Sequence, residues 1–254
     1  MNMYIFLLLF TPLFTFCQSE KKDTLDAAAE KDAEILAYMA KHKDDGSESV
    51  SKGTPGNGSL VNGKLVPYYG ANHTYFDKQS YLAGRAFLNG HLLSGVLETY
   101  DTLFALYPNR KFGIMECANE HGGKLYPHRT HQNGLSVDFM MPLLKDGVPY
   151  YGADTLGTSH YLMQFDDDGV YTKDPSIRID FNMVAQQILL FDAMAKKHNM
   201  GIDKVIIMIE LKDELFATEY GKILKASNIY VVKSLTSLVN SLHDDHYHLD
   251  FKFL

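Results

Sequence analysis

Cysteine is almost absent from this 254-residue chain. There are two, and Cys17 closes an apolar N-terminal run, which leaves Cys117 on its own. That placement excludes a disulfide framework, and no base motif surrounds Cys117 to make it a nucleophile. No Gly-x-Ser-x-Gly stretch occurs, so a serine nucleophile of that kind is unsupported as well. Lysine and arginine form no stripe or cluster and the formal net charge is −7, so nucleic acid is not an expected partner. Alternating strand-helix units are also missing, which argues against a parallel α/β sheet. What is present is apolar substance. At 46% hydrophobic and 12% aromatic residues, the chain can bury one sizeable core.

The first 17 residues, MNMYIFLLLFTPLFTFC, carry no charged side chain. Their length suits the core of a signal peptide and is short for a membrane span, so residues 1–17 are expected to direct export. A lipoprotein anchored through Cys17 is the rival, opposed by bulky Phe16 where a small residue is preferred. Residues 18–50 are polar and charged with a narrow apolar stripe at Ile35, Leu36 and Met39, and read as a partly helical tether. The remaining chain, 51–254, reads as one domain.

Within that domain, apolar spacing predicts helices over 80–107, 181–198 and 212–227, with a further helical stretch within 233–242. Strands are expected over 111–117, 135–141, 204–210 and from His243 to the end, and the Asp-Gly stretches KDGVPYYG and FDDDGVYT read as hairpins. The expected class is α+β: a single domain with a mostly antiparallel central sheet flanked by helices, and a metal site on the sheet.

That site rests on two segments. The first, PHRTHQNGLSVDFMMP at 127–142, carries His128, His131 and Asp138. The second, HDDHYHLDF at 243–251, carries His243, His246 and His248. Alternation puts Ser136, Asp138 and Met140 on one face of a strand, opposite the apolar Leu135, Val137 and Phe139. In the second segment His246, His248, Asp250 and Lys252 share a face, the two histidines about 7 Å apart. If the two strands are neighbours, His131, Asp138, His246 and His248 converge. Two imidazoles and one carboxylate with an open position describe a catalytic zinc site better than a structural one. Taken singly, each of these residues would more often be a surface or hydrogen-bonded group; the set, in this order and spacing, is what points to metal. His73, His91, His160 and His198 lack such company and read as structural or surface residues.

HRTHQNGLSVD followed by HDDHYH resembles the penicillin-insensitive murein endopeptidase family, within the zinc peptidases that include lysostaphin, D-Ala-D-Ala dipeptidases and the hedgehog domain. The likeness runs upstream through SKGTPGNGSLVNGKLVPYYG and covers most of the chain from Ser51. It departs at ANEHGG, where Ala118 and His121 stand in place of the usual serine and arginine, and in its near lack of cysteine.

The resemblance implies a role for each residue. His131, Asp138 and His248 would bind Zn2+, His246 would be the general base or transition-state hydrogen-bond partner, and His128 and His243 would orient ligands or bind substrate. Apart from the resemblance, Arg129 and Lys124 are candidates for a substrate carboxylate on charge alone, and Glu116 and Glu120, close to the site in sequence, are either supporting groups or ordinary structural residues. The implied substrate is the peptide stem of peptidoglycan, cut at its cross-links in the periplasm. Three rivals remain: a D-Ala-D-Ala carboxypeptidase or dipeptidase of the same fold, a non-catalytic zinc- or wall-binding protein, and a phosphoesterase. The last would need more carboxylates and a second metal.

Overall fold

The computed structural model describes residues 32–254, so the expected signal peptide and Cys17 lie outside the described residues. Helix α1 (Ala33–Lys41) is followed by the hairpin of β1 (Val50–Thr54) and β2 (Asn57–Val61), then by β3 (Lys64–Leu65) and β4 (His73–Tyr75). Next come α2 (Lys78–Leu82), β5 (Phe87–Leu88), α3 (Gly90–Leu106), β6 (Phe112–Ile114) and β7 (Ser136–Met140). A second hairpin, β8 (Leu143–Lys145) with β9 (Val148–Tyr150), leads to a 3-10 helix at Gly157–Leu162 and to β10 (Ile177–Ile179). The chain closes with α4 (Phe181–Lys197), β11 (Met200–Ile206), α5 (Lys212–Ala217), α6 (Glu219–Ala226), α7 (Ser237–Ser241) and β12 (His246–Phe253).

The central sheet has five strands in the order β11-β12-β7-β6-β4, antiparallel except for the β4–β6 pair. The expected α+β class with a mostly antiparallel sheet is therefore the observed one. Its two faces differ because the strand sequences alternate. Val137, Phe139, Tyr247, Leu249 and Phe251 are buried in the core, where Phe139 stacks on Phe191 of α4 (centroids 4.3 Å apart, planes at 26°) and on Tyr247 (5.4 Å). Stacked aromatic pairs of this kind add attraction beyond the area they bury. Asp138, His246, His248 and Asp250 point the other way, and there the chemistry collects.

Several boundaries differ from the sequence reading, each for a local reason. The helix expected over 80–107 is broken after α2: Gly84 takes φ +81°, β5 pairs with β3, and Asn89 caps a new helix by accepting from the His91 N–H. The helix expected over 212–227 is likewise split at Thr218, whose extended backbone and hydroxyl, accepting from Gly221 N–H, start α6. The strand expected over 204–210 begins earlier, at Met200, because its antiparallel partner β12 supplies a ladder from Phe253 onward. Of the two hairpins, 143–150 forms as β8–β9 with Asp146 and Gly147 at positive φ. The second forms as a minimal hairpin, closed by an antiparallel bridge between Phe165 and Tyr171, with Asp166 accepting from the Asp168 and Val170 N–H groups in its turn. The described part of the expected tether lies against the domain: Ile35 is fully buried in the core and Lys64 pairs with Asp44.

Candidate metal centre

Strands β7 and β12 are hydrogen-bonded neighbours, and their register sets His248 opposite Asp138, Asp250 opposite Ser136 and His246 opposite Met140. His131 arrives from the preceding loop with φ +68°, a left-handed backbone that costs a non-glycine residue on the order of 1–3 kcal/mol. Gly134 follows at φ +74°, where a Cβ would lie 2.9 Å from the Asn89 nitrogen, so only glycine lets this loop close onto the domain. The His131 ring lies edge-on to those of His128 and His248, with centroids 4.8 Å apart in each pair.

Burial there is complete, yet the polar atoms are not satisfied. His131 is 0% exposed and neither ring nitrogen finds a hydrogen-bond partner among the described residues; Asp138 Oδ2 is equally unpartnered. Leaving such groups buried and unpaired is costly, so an arrangement of this kind calls for an occupant. The spacing says what sort. Asp138 Oδ2 lies 3.3 Å from His131 Nε2 and 3.5 Å from His128 Nδ1. Ligand atoms about 2.0–2.1 Å from a tetrahedral ion stand about 3.3–3.4 Å apart. His128, His131 and Asp138 together form a group that could hold a metal ion.

This differs from the expected trio. His131 and Asp138 are in it, His128 joins them, and His248 stands beside them, tied to the other oxygen of the same carboxylate. His248 Nδ1 is 2.6 Å from Asp138 Oδ1, and its Nε2 is 2.8 Å from Asp250 Oδ1. Burial works against a charged His248, but the carboxylates of Asp250 and Asp138 prevail and push its pKa up to about 10. Burial likewise opposes ionisation of Asp138, and the imidazoles of His131 and His248 overcome it, holding the carboxyl well below its usual range. Asp250 also accepts from Ser136 Oγ and faces Lys204 Nζ at 2.9 Å, so it is held from three sides while it fixes the His248 ring.

An Asp250→Asn substitution is expected to lower metal affinity about 10–100-fold, the usual effect of losing a carboxylate that orients a histidine ligand. Titration of the variant with a competing chelator measures it. Unchanged affinity would mean that His248 takes no part in binding.

His246 is buried beside this group. Its Nδ1 is 2.6 Å from Asp245 Oδ1, which places the donor proton on Nδ1 and directs Nε2 away from the carboxylate. Burial disfavours its cation, but Asp245 outweighs this and its pKa is raised. His243 packs against it, ring centroids 4.9 Å apart, with Nδ1–H donating to the Val239 carbonyl at 2.6 Å. His128 and His243 are both driven down to about 3, first by burial. Arg129 and Lys124 are exposed on the loop that carries His128. That loop is tied down by Arg85, which donates to Glu116 Oε2 at 2.7 Å and to the Tyr126 carbonyl at 3.2 Å.

Sequence reasoning placed Asp250 on the correct face without a role and gave Asp245 none. The signal for Asp245 was its position directly before a histidine expected to act as a base. His160, expected to be structural or at the surface, is fully buried, with Nε2 3.1 Å from the Asp245 carbonyl. Nothing local in the sequence marks it. The other three histidines expected to stand apart do so in character: His73 packs its ring at a tilt against Tyr100, His198 pairs with Glu98, and His91 lies edge-on to Phe253. No protein-family model and no curated protein matches the chain.

Proposed function

We propose that this chain is an exported zinc metallopeptidase of the murein endopeptidase type, acting on the peptide cross-links of peptidoglycan in the periplasm. The observation that carries the reading is the His128–His131–Asp138 group, its last two members buried and His128 partly so, with the His246–Asp245 pair at its side. Imidazoles with a single carboxylate suit zinc better than magnesium or calcium, which take oxygen ligands. Bound there, zinc would polarise an amide carbonyl and acidify water toward a pKa of about 7.

The chain's own residues supply the rest. His131 and Asp138 belong to both the expected trio and the group within metal-ligand distance; the third ligand would be His128 as it stands, or His248 once it gives up the proton it shares with Asp138, and either set leaves the fourth position open. His246 takes a proton from the attacking water and passes it to the departing amine nitrogen, while Asp245 stabilises the imidazolium that forms between the two transfers. Arg129, exposed at the rim, offers a planar donor pair to a stem carboxylate. A purely binding protein would have no use for a buried histidine held in one tautomer next to the metal group.

Digestion of cross-linked sacculi by the zinc-loaded protein, followed by separation and mass analysis of the muropeptides, tests this. The expected result is loss of dimers with gain of monomers. Trimming of free stem termini without loss of dimers would reassign the protein as a carboxypeptidase, and no change at all would remove peptidoglycan as substrate.

A further inference from the structure

The 3-10 helix at Gly157–Leu162 carries a residue that neither the sequence reading nor the metal group accounts for. Tyr161 packs its ring edge-on against His246, with centroids 5.4 Å apart and planes at 86°, and against Phe76 at 5.7 Å and 79°. Its hydroxyl is buried and has no hydrogen-bond partner among the described residues. A buried hydroxyl left unpaired is unfavourable and nearly always finds a partner, so one that faces a reactive cluster calls for explanation. Burial, and then the carboxylates of Asp138, Glu116 and Asp245, raise its pKa well above the usual tyrosine value. The edge-on contact with His246 is what sets the tyrosine beside the site. It is held there as a neutral donor.

The turn that bears Tyr161 is anchored through the residues that precede it. His160, immediately before it, is fully buried and reaches the carbonyl of Asp245, the residue that also holds His246. Thr158 N–H donates to Asp77 Oδ2 at 3.3 Å, and Gly157, at φ +57°, has no Cβ to collide with that same oxygen. Asp245 thus sets the base through its side chain and the Tyr161 turn through its backbone. A donor fixed in this way needs no reorganisation at the moment of reaction, which is the condition for effective stabilisation of developing charge.

We propose that Tyr161 is a catalytic residue of the hydrolysis described above: its hydroxyl donates a hydrogen bond to the scissile carbonyl oxygen as that oxygen becomes negatively charged. This rests on the metallopeptidase reading. No bond to tyrosine forms or breaks; the proton stays on the phenol, and the proton transfers remain with His246.

The test compares zinc-loaded wild type with Tyr161→Phe, which removes one oxygen and keeps the ring on His246. On a purified cross-linked muropeptide dimer, kcat is expected to fall roughly 10²–10³-fold with KM little changed. Affinity for a phosphinate pseudopeptide, whose tetrahedral anionic phosphorus mimics the charged carbonyl centre, should fall in parallel. Zinc content and Tm should hold, or Tm should rise. Wild-type kcat and phosphinate affinity in Tyr161→Phe would overturn the assignment. So would a joint loss of activity, zinc and Tm, which marks a structural role. A wild type that neither opens the dimer nor binds the phosphinate sinks the metallopeptidase reading and this assignment with it, whereas an active wild type matched by an active variant sinks only the role of Tyr161.

Discussion

Replacing His246 with alanine is expected to slow cross-link hydrolysis by roughly 10²–10⁴-fold, the range for loss of a positioned general base, while zinc content stays at the wild-type level. The split between the two readouts follows from geometry. His246 is not in the group within metal-ligand distance, which is built from His128, His131 and Asp138. It is held instead by Asp245 at 2.6 Å. An Asp245→Asn variant should therefore behave as a milder form of the same lesion, about 10–100-fold slower with metal retained, since the ring stays in place while its tautomer is no longer dictated. Muropeptide release and metal analysis on the same preparations decide the matter. If His246→Ala loses its zinc, the residue is a ligand and the assigned roles exchange.

Zinc at a thousand times its dissociation constant is expected to stabilise the fold by about 4 kcal/mol, or roughly 8–16 °C in Tm for a chain of this size, and excess chelator should reverse the gain. The origin is the set of polar atoms that burial leaves unpaired at His131 and Asp138. Binding should also release protons in a way that identifies the ligands. His128, near 3, and Asp138, held low, are already deprotonated at pH 7. His248, near 10, is not. Recruitment of His248 therefore expels about one proton per zinc, which calorimetry in buffers of different ionisation enthalpy reads directly and which His248→Gln should abolish. An identical count in the two proteins would leave His248 as a partner of Asp138 and not of the metal.

The same shifts set the sign of the pH dependence without zinc. The raised pKa of His248 contributes stability that is complete below about 6.5 and is lost as pH rises through about 10. His128 and His243 act oppositely. Their depressed values mean that the unfolded chain takes up protons which the folded chain refuses, so stability falls as pH drops from about 6.5 through about 3.

Much of the fold and part of the site could be read from the sequence, because the information is local. Alternation along 135–141 and 246–253 assigns each side chain to a face before any partner is known, and the apolar period over 181–198 marks α4 in the same way. What broke the longer helices was also local, yet weaker than the apolar period that hid it: a glycine at positive φ after α2, and a threonine cap at 218.

The sequence by itself determined which histidines and carboxylates were candidates, the order in which they arrive and the face that each strand residue occupies. Only the tertiary structure decided which of them meet. Asp138 and His248 are 110 positions apart, His160 and Asp245 are 85 apart, and each pair joins through the packing of elements that share no local pattern. His128 entered the metal group because its loop, which carries His131 in a left-handed backbone, sets its Nδ1 3.5 Å from Asp138 of β7. Tyr161 reached His246 because a short 3-10 helix is pinned to Asp245, which also holds the His246 ring. Periodicity governs where a side chain points, whereas register and loop closure govern what it finds there, and these depend on the whole chain.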